Sequence, residues 1–311
     1  MKVYIIAFYL LLTAAQLFAQ NEESNNIPHL NNHYFIPHSN SASPFINSQF
    51  GMNLGIASSE DFENVILEID GEKLIALKGS LIFADLNFDY QQKIKNWIAF
   101  YLNVGVTARL GTEVQSIITQ GVNTISTFRL GWLVKLLKTE KDMLSANIQI
   151  NNHGANFVHI GSFIEDLIKD SVRTSISNSI PILNGSVGLR YAHGFNEILG
   201  FQGFANIGFG DSYVRGENDM IYRLGGLFDV NLATKTKVPL GFAVFYNLTA
   251  IPDVVQVPGK SASMAGFKIS YSGAPHFNLG LEISNSRVPI PNVEEKVNST
   301  LVFITTKYYF N

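Results

Sequence analysis

Few residues in this chain have types and spacing suited to chemistry. Three of its seven histidines, His29, His33 and His38, fall in one Asn- and Ser-rich stretch, and their spacing matches no standard metal site. His153, His159, His193 and His276 stand apart from one another. Cysteine is absent, which removes disulfides, thiolate ligands and cysteine nucleophiles together. The segment PGKS at 258–261 ends like a phosphate loop, yet Val254 stands where that loop needs its first glycine. There is no Gly-x-Ser-x-Gly elbow and no His-Glu-x-x-His. A hydrolytic site gathered from separate strands would have to draw on His153, His193, Ser186 and Asp229, and nothing in the sequence places them together. The expectation is therefore a protein that is not an enzyme, with no catalytic residues, no metal and no cofactor.

The remaining ionisable groups form a different pattern. Net charge is −3 and no basic run occurs, which argues against a nucleic-acid partner. Only 15% of the 311 residues are charged, against roughly 25% in an average globular protein. Those charges recur on one phase of two-residue repeats. Arg109, Arg129, Lys135, Arg190, Arg223, Lys268 and Lys307, together with Asp85, Asp89, Asp229 and Glu282, alternate with apolar neighbours. Side chains of a β-strand point alternately to its two faces, so these eleven groups would share one side of a sheet, with cations in excess. If that side encloses an open lumen, it favours anions; if the lumen is filled, the charges satisfy one another. Phe204, Leu227 and Phe303 share the same side.

The elements that would carry them are strands. In 97–110, Ile98, Phe100, Leu102, Val104, Val106 and Leu110 oppose Tyr101, Asn103, Gly105, Thr107 and Arg109. The same alternation recurs in 125–137, 219–232 and 238–250. Reading the whole chain this way gives about fourteen strands, with twelve as the lower count: 45–57, 63–69, 73–90, 97–110, 125–137, 143–150, 155–160, 184–193, 198–210, 219–232, 238–250, 263–272, 276–285 and 300–310. A bulge near Gly79 would turn Lys78 inward within 73–90. Two short amphipathic helices are expected in loops, around 112–121 and 162–176.

Connections then decide between a soluble sandwich and a membrane barrel. Short turn sequences (DG, NNHG, GFNE, ATKTK, SGAP) follow even-numbered strands and four long segments follow odd-numbered ones, as in barrels with short turns at one rim and long loops at the other. The exceptions are the first helix and the tight QQKIKN and KTEKD. A water-soluble sandwich would also alternate, but its polar faces would dominate its surface and raise the charge. The expected fold is all-β, a transmembrane antiparallel up-and-down barrel with its apolar face in lipid.

Residues 1–19 have the form of a secretory signal peptide, with Lys2, an apolar run too short to span a membrane, and Ala19 before the cut. Residues 20–44 form an irregular leader or plug, and 45–311 the barrel. At the C-terminus, Tyr308 and Phe310 end an alternating strand that looks like the terminal strand of outer-membrane barrels, whose last aromatic is read by the barrel-assembly machinery; Asn311 after Phe310 departs from that pattern. The LFAQ cleavage region and strand plan resemble barrels of the Bacteroidetes type. Over about 45–311 the architecture resembles the fatty-acid transporter (FadL-like) family, with a PorP/SprF-like barrel as the second resemblance. These resemblances imply residence in the outer membrane of a Gram-negative cell and contact with its lipid. Two roles are expected on this basis. One is a porin or transporter passing small or hydrophobic solutes. The other is a scaffold for a secretion, motility or adhesion apparatus that binds through loops 161–183, 251–262 and 286–298. An envelope lipid-modifying enzyme stands third.

Overall fold

The computed structural model describes residues 26–39, 42–59, 62–69, 72–79, 82–110, 121–158, 177–211, 218–236, 238–250, 261–288 and 296–310. Alternating runs become antiparallel strands throughout. Two short ones, β1 (His29–Leu30) and β2 (His33–Tyr34), pair in the leader, and β4 (Phe62–Ile69) and β5 (Glu72–Gly79) form a separate hairpin. The other twelve close a barrel. They are β3 (Ser48–Ser59), β6 (Ile82–Lys95), β7 (Ile98–Leu110), β8 (Gly121–Lys138), β9 (Asp142–Val158) and β10 (Ser177–Gly194), followed by β11 (Leu199–Asp211), β12 (Asn218–Asn231), β13 (Leu240–Ala250), β14 (Ser261–Ala274), β15 (Phe277–Val288) and β16 (Val297–Phe310). Each pairs with the next, and β16 pairs with β3, from Ser299 opposite Ser59 to Phe310 opposite Ser48. Closure leaves no strand edge unpaired, the condition a sheet must meet in lipid.

The wall is apolar outside. Along β13, Val244 and Tyr246 are 57% and 54% exposed, whereas Ala243 and Phe245 are 2% and 6% exposed. The same holds around the wall for Leu54, Val106, Trp132, Ile150, Leu189, Phe209, Phe228, Leu281 and Ile304. Each such side chain left in water forgoes on the order of 1 kcal/mol, so a belt of several tens would offset the roughly 5–15 kcal/mol that holds a domain folded. The exterior is a lipid-facing surface, and the barrel is transmembrane.

Twelve barrel strands, rather than fourteen, result from two local differences. The phase break near Gly79 is no bulge: β5 ends there and β6 begins at Ile82, so 62–79 leaves the barrel as a hairpin while β3 pairs directly with β6. The NNHG sequence is no turn: β9 runs through it, pairing with β8 and β10 on both sides. With both changes, QQKIKN, KTEKD, GFNE, ATKTK and SGAP all fall at the rim that holds residue 310 and the start of β3. The other rim carries the β4–β5 hairpin and the connections 111–120, 159–176, 212–217, 251–260 and 289–296, most of them longer, although 212–217 is shorter than 232–239 at the terminal rim. Among the described residues there is no helix; the two expected helices and PGKS lie almost wholly outside them.

Candidate functional site

The barrel interior is occupied by its own N-terminal segment. Asn31 and Asn32, both at positive φ (49° and 61°), make the two-residue turn between β1 and β2, a left-handed conformation that Asn tolerates better than most residues. This small hairpin crosses the terminal rim. Asn31 N–H donates to the Glu140 carbonyl at 2.8 Å, and its side-chain amide donates to the carbonyls of Gly194 and Phe195, each at 3.1 Å. Asn26 Nδ2 donates to the Phe310 carbonyl at 2.7 Å.

Beyond the hairpin the chain climbs inside the wall and returns. On the way up, His33 meets Asp229 Oδ2 through Nε2 at 2.8 Å and the Glu197 carbonyl through Nδ1 at 3.3 Å. Ile36 N–H donates to the same Asp229 oxygen at 2.9 Å. Lys268 Nζ donates to the Pro37 carbonyl at 2.6 Å, and Ser39 donates to Glu282 through both its N–H and its hydroxyl. On the way down, Arg190 donates to the Ser43 carbonyl at 3.2 Å, Ser145 to Pro44 at 2.6 Å and Gln91 to Phe45 at 2.8 Å. Wall residues therefore satisfy a leader backbone that has little ladder of its own. Two apolar clusters add to the hold: Leu30, Phe35 and Phe45 with Met143 and Ala192, and Ile36 with Leu227, Ala243 and Phe245.

Glycines give the leader room. A Cβ on Gly200 would lie 2.4 Å from His33 Nε2, and one on Gly241 would lie 2.3 Å from Ile36 Cδ1. His38 sits edge-on to Phe245, with ring centroids 3.6 Å apart, and its Nε2 is 3.9 Å from Glu282 Oε1. Burial pushes its pKa down to about 4, against the attraction of Glu282.

The leader does not fill the lumen. A chamber of about 270 Å³ remains along β3, β6, β7, β8 and β16, lined by Asn87, Asn103, Thr127, Tyr101, Arg129 and Arg190 among others. Arg129 Nε donates to Asn151 Oδ1 at 3.0 Å and Arg190 Nε to Asn147 Oδ1 at 3.3 Å. The Arg190 guanidinium also lies over the Tyr101 ring, 4.7 Å from its centroid. Tyr101 donates to Gln149 at 2.7 Å, and Gln149 to Asn151 at 3.1 Å, which links the two arginines through neutral groups. Across the chamber, Lys307 pairs with Asp89 at 3.0 Å, and Thr107 donates to Asp85.

The structure thus places Asp229, Glu282, Lys268 and Arg190 against the leader, and Asp85, Asp89, Arg129, Arg190 and Lys307 around the chamber. Arg223 lies over the inward Phe204 ring at 5.1 Å. Arg109 stands in phase with Thr107 near the loop rim, and Lys135 near the terminal rim where the β8–β9 register shifts. Tyr308 is 52% exposed and stacks on Phe310, which stacks in turn on Tyr90.

The leader histidines are not gathered: His29 packs on Tyr34, while His33 and His38 reach different carboxylates. Nor are the groups a hydrolase would need, because Asp229 is sealed under the leader and His193 pairs with Asp142 at 2.7 Å on the outward phase of Val187 and Leu189. The interior amides, Asn87, Asn103, Asn147, Asn151 and Gln149, did not stand out in the sequence. Their one signal is that they recur on the inward phase beside the charges.

No family model matches the chain, and no curated protein matches it. Among solved structures it is similar to the KdgM porin, at 8% identity and a TM-score of 0.45, covering 84% of this chain and 99% of that one. It is similar also to the translocator domain of autotransporter NalP from Neisseria meningitidis (8%, TM-score 0.47, 86% and 90% covered). A third similar structure is a FadL homologue from Pseudomonas aeruginosa (10%, TM-score 0.42, 85% and 91% covered). The likeness is one of barrel shape alone.

Proposed function

We propose that this chain is an outer-membrane barrel that passes small solutes through its lumen, with the leader as its gate. The observation that carries the reading is the mode of attachment of 26–47. The leader is held inside the wall by individual polar bonds and two small apolar clusters, next to a polar chamber, rather than by incorporation into the sheet. Contacts of this kind can be released one at a time, and release widens the pore. The work is done by pore width and lining charge, with no covalent step. In this reading 1–19 is removed after Ala19, Tyr308 and Phe310 mark the final strand for the barrel-assembly machinery, and the lipid-facing belt sits in the outer membrane.

The leader's many contacts inside the barrel favour a second reading, a non-conducting scaffold whose long-loop rim binds a secretion, motility or adhesion apparatus. Conductance in planar bilayers separates the two. The full chain should conduct little, and a variant lacking 26–45 should open steady channels. A leader-less barrel that stays folded and closed would defeat the transport reading and leave the scaffold.

A further inference from the structure

The chamber holds an imbalance of charge. Among the described residues, its carboxylates are engaged, Asp89 by Lys307 and Asp85 by the Thr107 hydroxyl. Arg129 and Arg190 line the same space, and no ion pair among the described residues joins either to a carboxylate. Their hydrogen bonds go to neutral oxygens, Asn151 for Arg129, and Asn147 and the Ser43 carbonyl for Arg190. The two guanidinium groups also repel each other. Withdrawing such cations from bulk water is expensive unless an opposite charge is supplied. Among the described residues, the chamber is the space that both arginines share and where that charge can sit.

We propose that the space between Arg129, Arg190 and Tyr101 is a binding site for a small hydroxylated carboxylate of the sugar-acid class. A carboxylate meets the planar donor fork of an arginine with two parallel hydrogen bonds. The rest of the lining suits hydroxyl groups: Asn87 and Asn103, bonded to each other at 2.8 Å, the Thr127 hydroxyl and the Tyr101 ring. A volume of about 270 Å³ leaves room for a ligand the size of one sugar ring. Arg190 also holds the leader at Ser43, so a carboxylate drawn to Arg190 competes with that carbonyl and loosens the descending limb of the leader. The site gives the proposed transport its substrate class and rests on that reading for its purpose, though not for its existence.

The test is calorimetry on the detergent-purified full chain with D-glucuronate, D-glucose and inorganic phosphate as probes, alongside bilayer conductance. Glucuronate should bind, and R129Q and R190Q should each weaken it roughly ten- to a hundredfold, the range expected for one charge-assisted contact. R190K, which keeps the charge, should retain more of the affinity than R190Q, and heat-modifiable migration on gels certifies that each variant is folded. Equal binding of glucose means the arginines are not used and overturns the site. Phosphate binding as well as glucuronate overturns the ligand class, and no binding by the folded chain overturns the proposal entirely. Glucuronate binding without conductance in any variant removes the transport reading and leaves the site standing.

Discussion

His33 Nε2 lies 2.8 Å from Asp229 Oδ2, both side chains fully buried, joining the leader to the wall across 196 residues of sequence. The same carboxylate oxygen takes the Ile36 N–H, so Asp229 fixes two points of the ascending limb. Removing one partner of a buried pair leaves the other uncompensated, which costs about 3–5 kcal/mol. Asp229→Ala should release the leader, read as faster protease cleavage within 26–47 and increased conductance, while the barrel keeps its heat-modifiable band. Unchanged protection of the leader would mean the pair does not hold it.

Gly200 offers a steric test of the same contact. The Cβ of Gly200→Ala would press at 2.4 Å on the His33 ring, which is held between Asp229 and Glu197, and at 2.7 Å on Phe35, which packs against Phe45. Overpacking of this kind costs about 1–3 kcal/mol. At Gly185 nothing lies within 4 Å of the added carbon, so Gly185→Ala is the matched control. Hydrogen exchange across 30–37 should quicken in the first variant and stay as in wild type in the second.

Acid should loosen the leader through His38. Docked, the ring has a pKa of about 4 because burial disfavours its charged form; released, it returns towards 6.5. A base whose docked value is the lower one takes up a proton on release, so docking is strongest above pH 6.5 and weakens as pH falls towards 4. The full effect is on the order of 3 kcal/mol. Glu282 opposes the shift, while Lys268, Arg223 and Lys307, facing the ring from β14, β12 and β16, reinforce it. Protection of the leader from protease should therefore drop between pH 7 and pH 5 and flatten in His38→Gln; an equal drop in that variant would assign the effect elsewhere.

The lipid-facing assignment is tested at Val244, midway along β13 and 57% exposed. In water an exposed Val→Arg change is close to neutral, whereas on the lipid face near the bilayer midplane it costs about 2–4 kcal/mol. Val244→Arg should lower the urea midpoint for unfolding from lipid vesicles by a corresponding amount. A midpoint equal to wild type would place that face in water.

Much of the wall was legible because alternation is a local property. Each strand states its own two faces, so the outward phase of Val244 and the inward phase of Arg190 can be read without knowing any partner. Strand count was less legible, because it depends on pairing. Nothing in 62–79 states that β3 will bypass it to pair with β6. Nor does Asn-Asn-His-Gly state that its inward amide, Asn151, will bond to Asn184, Ser186 and Arg129 instead of turning the chain.

The leader was illegible for a different reason. It meets β12, β14, β15, β10, β9 and β6 one residue at a time, largely through its own backbone, so its side chains carry no period. Its one regular feature, the turn at Asn31 and Asn32, was not read from the sequence either and shows only in the structure. The sequence by itself determined a closed, apolar-sided sheet with charge turned inward, since alternation and turn chemistry act between neighbours. Only the tertiary structure decided which charges face the leader and which face the chamber, because that depends on groups brought together across as many as 243 residues, as Ser39 and Glu282 are.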